Sequence, residues 1–309
     1  MGRQIKNKGM VRWGLVPFLL AIGLMPGSPE TTPRPSWKTA DSSATASIHL
    51  SASQKEDANL RLINLLGKTA LYCHRLENAA LDFVCLEEIT EDIDYSREKS
   101  GDFASKDTIV EKNTYLYDYQ FIRKENIKKE VRKPLMIMKD GRLATVKEPG
   151  LLTSAVRVEY VLFGPIGLLG ENWRPRRNFR IAGEDAVIGE RAVILESRIR
   201  PGMEGSHCDG NAWIRESDGS VLKIEWDQST LGGFKQIEER ARSFKAEPRM
   251  TSTTEYGFEK NGLRFPSLDI TEEVYLKAGK EPFIRARTVI RYKNYRFFTV
   301  ESKAEVSIK

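Results

Sequence analysis

From about residue 55 onward, apolar and polar positions recur in blocks, and the period of each block identifies its element. The clearest is Gly210 to Gln228, which reads NAWIRE, SDGS and then VLKIEWDQ. Ala212 and Ile214 alternate with Trp213 and Arg215. Beyond the Ser-Asp-Gly turn, Leu222, Ile224 and Trp226 alternate with Lys223, Glu225 and Asp227. Period-two alternation around an Asp-Gly turn predicts a β-hairpin. Similar strand pairs flank it on both sides, so the pattern predicts a large antiparallel sheet.

The first block has a helical period: Leu60, Leu62, Ile63, Leu65, Leu66, Ala70, Leu71 and His74 form one apolar stripe, expected to lie on the sheet. Leu81 to Tyr95 then alternates, with Phe83, Cys85, Ile89, Ile93 and Tyr95 on one face and Glu87 and Glu91 interrupting it. Paired carboxylates suit general acid–base work. The plainer expectation is a strand that leaves the core partway, so that both face water. In the next strand Tyr115, Tyr117, Tyr119 and Phe121 line one face, packing under a helix or lining an apolar trough. The run RKENIKKEVRK before Pro134 reads as a solvated strand end or edge.

Between Gly150 and Gly170 lies LLTSAVRVEYVLFGPIGLL. Its residues Tyr160, Leu162, Phe163, Ile166, Leu168 and Leu169, broken at Gly164-Pro165, make either a lid over a cavity or a helix closing one end of the core. Trp173-Arg174-Pro175-Arg176-Arg177 follows as a loop whose arginines suit an anionic headgroup or are simply solvated. A strand pair spans Asn178 to Ile199. Phe234, Ile237, Ala241 and Phe244 then mark a short amphipathic helix. In the last strand Ile284, Ala286, Thr288, Ile290 and Tyr292 oppose Arg285, Arg287 and Arg291, the pattern of a sheet packed on one side and wet on the other.

The first thirty residues change the picture. Arg3, Lys6, Lys8 and Arg12 precede an apolar run, Trp13 to Met25, which is short for a bilayer span and carries Pro17. Residues 1–27 are therefore expected to be an export signal, 28–54 a disordered Pro/Ser/Thr linker, and 55–309 a single domain. No cysteine follows the apolar run, so no lipid anchor is expected there. Without those four bases, the formal charge of +6 falls to a near balance, which excludes a strong pull toward nucleic acid.

Candidate chemistry is sparse. Cys73 and Cys85 lie on a helix and the following strand, and in an exported chain a disulfide between them is expected, with two separate buried thiols as the alternative. His207 beside Cys208 lacks further ligands, because His49 and His74 lie elsewhere in the pattern. Neither a metal site nor a catalytic group nor a cofactor is expected.

Four stretches carry a resemblance: YLYDYQFIRKENIKKEVR, YVLFGPIGLL, GNAWIRESDGSVLKIEWD and YRFFTVESKAEV. In their order, from about Lys55 to Lys309, the chain resembles the lipoprotein-carrier superfamily of LolA- and LolB-like proteins and the sensor domain of RseB-like proteins. The resemblance implies a mainly β (α+β) fold, a strongly curved antiparallel sheet or unclosed β-barrel whose concave side is covered by helices. It implies a non-catalytic periplasmic or envelope binding protein for a lipid or acylated lipoprotein, with Tyr115, Tyr117, Tyr119 and Phe121 as trough and Tyr160 to Leu169 as lid. Burial of acyl surface at about 25 cal/mol per Å² needs no catalytic group. The alternative is a structural or sensing module that binds another envelope protein, and a hydrolase built on Glu87/Glu91 or His207/Cys208 ranks last. Proximity to a membrane surface is compatible with either of the first two.

Overall fold

The alternating blocks become thirteen strands among the described residues, and the first helical block becomes a helix of 27 residues. The computed structural model describes residues 52–78, 82–98, 110–124, 127–145, 161–203, 208–231 and 233–298. All lie in one compact unit, Leu50–Lys309. The expected export signal lies outside the described residues, as does most of the expected linker. The helix starts at Ala52, inside the stretch read as linker.

Helix α1 (Ala52–Asn78) leads into β1 (Asp82–Asp94), β2 (Val110–Lys124), β3 (Ile127–Lys139) and the two-residue β4 (Arg142–Leu143). A 3-10 turn, Val161–Phe163, opens the short α2 (Gly164–Leu169), and a second 3-10 stretch, Glu171–Arg176, follows it. Then come β5 (Arg177–Val187), β6 (Glu190–Ile199), β7 (Gly210–Ile214), β8 (Val221–Trp226), α3 (Phe234–Phe244) and β9 (Glu247–Glu255). A small hairpin, β10 (Phe258–Lys260) with β11 (Leu263–Phe265), precedes β12 (Leu268–Leu276) and β13 (Phe283–Phe298).

Eleven strands form one sheet in the order β4-β3-β2-β1-β13-β12-β9-β8-β7-β6-β5. Every pairing is antiparallel, and the first long strand pairs with the last. Strands β4 and β5 end the sheet without pairing with each other, so the barrel is unclosed. The fold is mainly β, with its helices packed on one face, called inner below.

Five register slips interrupt the sheet, and three of them bear on which side chains reach that face. In the central hairpin Ile214 sits opposite Val221 but Trp213 opposite Lys223. Leu222 is the extra residue, and it turns away to pack with Ala192 and Trp213. The sequence pattern had placed it beside Ile224. At β12–β13, Glu273 faces Ala286 while Val274 faces Ile284. The bulge buries Arg285 and leaves Ile284 43% exposed, reversing the expected assignment. Near the end of β13, left-handed Asn294 accompanies a third slip. Beyond it, Tyr295 and Phe297 join Phe83, Phe258 and Phe265 in an aromatic cluster, with Phe258 and Tyr295 stacked at 4.7 Å.

Helix α1 does not present one apolar stripe. Leu65, Tyr72, Cys73 and Leu76 are buried in the main core, whereas Leu60, Ile63 and Leu71 face outward, 57%, 57% and 62% exposed. A clamp holds the helix to the β7–β8 turn and to β5: Arg61 reaches Glu216 of the turn and Glu184 of β5, both at 2.7 Å, and Lys68 Nζ donates to the Glu216 carbonyl at 2.8 Å. Helix α3 builds a separate core from Ile237, Ala241, Met250, Tyr275 and Phe283. The inner face is thus covered at one end by α1 and α2 and at the other by α3.

Candidate functional site

The expected trough residues Tyr115, Tyr117 and Tyr119 do share the inner face, in one cluster with residues of α1 and α2. They are buried to 1%, 0% and 3% exposure, so side chains of the chain itself enclose them. Phe121 lies opposite Phe83 in register, and its side chain is outside what the structure describes. The row is not purely apolar. Tyr115 donates its hydroxyl to Glu91 at 3.2 Å, and Tyr119 donates to Glu130 at 2.7 Å.

Glu87 and Glu91 are not at a wet strand end; both are essentially fully buried on the inner face. The reason lies two strands away. Register places Arg132 of β3 across from Tyr119, which is across from Cys85, one inner-face step from Glu87. Arg132 grips Glu87 with Nε at 2.6 Å and Nη2 at 2.9 Å, while Nη1 holds Glu130 at 3.0 Å. Its guanidinium also lies 5.0 Å over the Tyr119 ring. Burial pushes the Glu87 carboxyl up, opposed by Arg132. Burial by itself would lower Arg132, but its hydrogen bonds to Glu87 together with the charges of Glu87 and Glu130 more than reverse this and keep it cationic. A carboxylate held on both oxygens is poorly placed to shuttle protons.

Below the tyrosines runs a polar belt. Asn113, Glu91, Thr288, Thr271 and Ser252 follow one another across five strands, all at most 5% exposed. Beyond it Glu273 takes Arg240 on both oxygens, at 2.8 and 2.9 Å, and Arg285 at 3.3 Å. The floor under α1 and α2 is therefore aromatic with the Glu87–Arg132–Glu130 group set into it, polar across the middle and apolar under α3, where a uniformly greasy surface was expected.

The expected lid is short and pinned. Leu162, Leu168 and Leu169 are buried, Phe163 and Ile166 pack partly against the core, and Tyr160 lies outside the described residues. Tyr256 donates to the Val161 carbonyl at 2.9 Å and Ser197 to the Leu168 carbonyl at 3.1 Å. Only glycine fits at 164, where a Cβ would stand 2.7 Å from the Tyr256 hydroxyl and 2.8 Å from Trp226.

The expected bridge between Cys73 and Cys85 is not formed; both thiols are free and buried. Each has its own surroundings in the core: Cys73 Sγ donates to the Pro165 carbonyl at 3.5 Å, and Cys85 lies beside Tyr295. Burial pushes Cys73 up to about 12 and Cys85 further, so neither is a thiolate at neutral pH. Cys208 donates to the Thr230 carbonyl at 3.4 Å, and burial raises it too. His207 lies outside the described residues.

No family model and no curated protein matches the chain. Solved structures do. They include a LolA superfamily protein from Nitrosomonas europaea, 14% identical over 76% of this chain and 94% of that one, with a TM-score of 0.33. A domain assigned as an outer membrane lipoprotein-sorting protein from Vibrio parahaemolyticus is 10% identical over 79% and 95%, with a TM-score of 0.36. The MucA/MucB complex of Pseudomonas aeruginosa is 11% identical over 79% and 99%, with a TM-score of 0.19. These are the kinds of protein that the order of elements in the sequence resembles.

Two inner-face residues had no signal in the sequence pattern. Arg132 sat in a run read as solvated. Counting register back from Lys124 opposite Ile127 would have placed it beside Tyr119. Asp269 is the second residue of β12, whose other acids are Glu272 and Glu273, and nothing local marks it as enclosed. It accepts from Thr254 Oγ1 at 2.6 Å, and burial pushes its carboxyl up to about 6, against hydrogen bonds from Thr254 and Thr271. A carboxyl that binds its proton more tightly when folded stabilises fully below its ordinary 3.8, and the contribution is lost as pH rises through about 6. Through this group, stability should fall between pH 4 and pH 7 by up to about 3 kcal/mol. Asp269→Asn should flatten that slope in urea melts taken across the range. A slope that survives the substitution would assign it to another group.

Proposed function

We propose that the chain is a non-catalytic binding module of the cell envelope, which holds an apolar ligand, a lipid or an acylated protein, between the α1–α2 cover and the inner face of its open sheet. The observation that carries this reading is the attachment of α2. Its Leu168 and Leu169, with Leu162 of the 3-10 turn that opens it, share one apolar cluster with Tyr115, Tyr117 and Tyr119, yet turn and helix join no strand ladder and are tied down by the Tyr256, Ser197 and Cys73 hydrogen bonds. A short cover of this kind can lift while the ladders beneath it stay intact. The sequence of residues 1–27 supports an address outside the cytoplasm. The arrest of Glu87 by Arg132 and the raised thiols support a role without catalysis.

The test is uptake of a fluorescent fatty acid by the folded chain. Binding at micromolar protein is expected, weakened several-fold when Phe163 and Ile166, the partly buried residues of the cover, are both changed to alanine. Absence of uptake would remove the ligand reading.

A second reading, a module that binds an envelope protein, is favoured by the outward face of α1. Leu60, Ile63 and Leu71 lie on it more than half exposed. On that reading Ile63→Ser with Leu71→Ser abolishes association with the partner and leaves fatty-acid uptake unchanged.

A further inference from the structure

Nearly every charged side chain on or near the inner face is answered. Arg132 meets Glu87 and Glu130, Arg240 and Arg285 meet Glu273, and Arg177 meets Asp209, Ser197 and the Cys208 carbonyl. Arg174 stands apart. Its Nε and Nη2 are buried and have no hydrogen-bond partner. Arg264 also has an unpartnered buried Nε, but its other nitrogens reach Glu190, Glu259 and the Tyr256 carbonyl. An enclosed guanidinium edge left without an acceptor is expensive, and it calls for a reason.

The identity of the two nitrogens is informative. Nε and Nη2 form the side-on edge of a guanidinium, and they are the same two atoms with which Arg132 grips Glu87 and Arg240 grips Glu273. That edge matches two oxygens of a carboxylate or phosphate. In Arg174 it meets no acid among the described residues. The surroundings add positive charge and apolar surface. Arg176, two residues on, lies 5.5 Å over the Trp173 ring, and Arg200 Nε donates to the Arg177 carbonyl at 3.1 Å, so further arginines flank this corner. On the other side Arg174 lies close enough to Cys73 of α1 to pull its thiol down against the larger effect of burial. Cys73 in turn touches α2 through Pro165 and belongs to the main apolar cluster with Leu168 and Leu169.

We infer that Arg174 is the head-group subsite of the proposed ligand, binding side-on the carboxylate or phosphate at the end of an acyl chain whose tail lies under α2. The inference rests on the ligand reading above and sharpens it from any apolar molecule to an anionic lipid.

The experiment compares uptake of cis-parinaric acid with that of its methyl ester by the full chain, for wild type, Arg174→Met and Arg174→Lys. Wild type is expected to prefer the acid by about tenfold or more, the scale of one charge-assisted pair. Arg174→Met should bring the acid down to the level of the ester and leave the ester unchanged, with Arg174→Lys recovering part of the preference. Arg174→Met should also melt no lower than wild type, since a buried guanidinium edge without an acceptor is removed; a clear loss of stability would assign Arg174 a structural role and overturn the inference. Competition by lysophosphatidic acid but not by inorganic phosphate points to a phospholipid source for the anion. Competition by free fatty acid alone points to a carboxylate. If acid and ester bind wild type equally, the subsite is wrong while the ligand reading stands. If neither binds, the ligand reading itself falls.

Discussion

Gly219→Ala is expected to destabilise the folded chain by about 2–5 kcal/mol, far more than a methyl group usually costs. Gly219 closes the β7–β8 turn at φ 75°, donating its N–H to the Arg215 carbonyl at 2.9 Å. A side chain at that φ costs about 1–2 kcal/mol wherever it occurs. Here there is also no room. A Cβ would lie 2.4 Å from the carbonyl carbon of Lys68 and 2.5 Å from the Thr69 nitrogen, both main-chain atoms of α1. Helix backbone cannot rotate aside as a side chain does, so turn or helix must move, stretching the Arg61 and Lys68 contacts to Glu216. Gly189 provides the control. It has the same φ of 75° in the β5–β6 turn, with nothing within 4 Å of its Cβ position. Gly189→Ala should therefore cost only the conformational part, about 1–2 kcal/mol. Urea melts of the two variants separate the effects, and equal losses would mean that the turn does not press on α1 in solution.

That contact also shows where the sequence is legible and where it is not. The hairpin is plain in SDGS between two alternating runs, and α1 is plain in its spacing, because both are local. Their docking onto each other is not, since nothing near Gly219 names Lys68. The same division recurs along the sheet. Alternation assigns faces correctly until a strand carries one extra residue, and a bulge has no compositional mark. Leu222, Arg285 and Asn294 are three such places, and at the first two the expected face is wrong. The split of the α1 stripe into a buried and an exposed face has a similar cause: Leu60, Ile63 and Leu71 are as apolar as the residues beneath them, and only the position of the sheet distinguishes the two sets. In the candidate site the aromatic row was readable from period alone. Its ionic partners were not, because Glu87, Arg132 and Glu130 meet through a register spanning three strands.

That ionic group carries the second large effect. Arg132→Ala is expected to lower stability by about 3–5 kcal/mol at neutral pH, the loss typical of stranding a buried charge. Glu87 is the residue stranded, its side chain at 0% exposure with both oxygens committed to Arg132. Glu130 keeps the Tyr119 hydroxyl and is less affected. In the variant Glu87 keeps the upward push of burial without the cation that opposes it, so its proton is held more tightly in the folded state. The deficit should therefore shrink as pH falls through the raised value and be greatest above it. Packing predicts the reverse dependence on partner: removing both charges with Glu87→Leu and Arg132→Met should recover most of the loss, because a buried pair contributes little beyond well-fitted apolar residues. Urea melts of the single and double variants at acid and neutral pH decide it. A single variant within about 1 kcal/mol of wild type would mean that water reaches Glu87, which places an opening in the inner face beside the tyrosines.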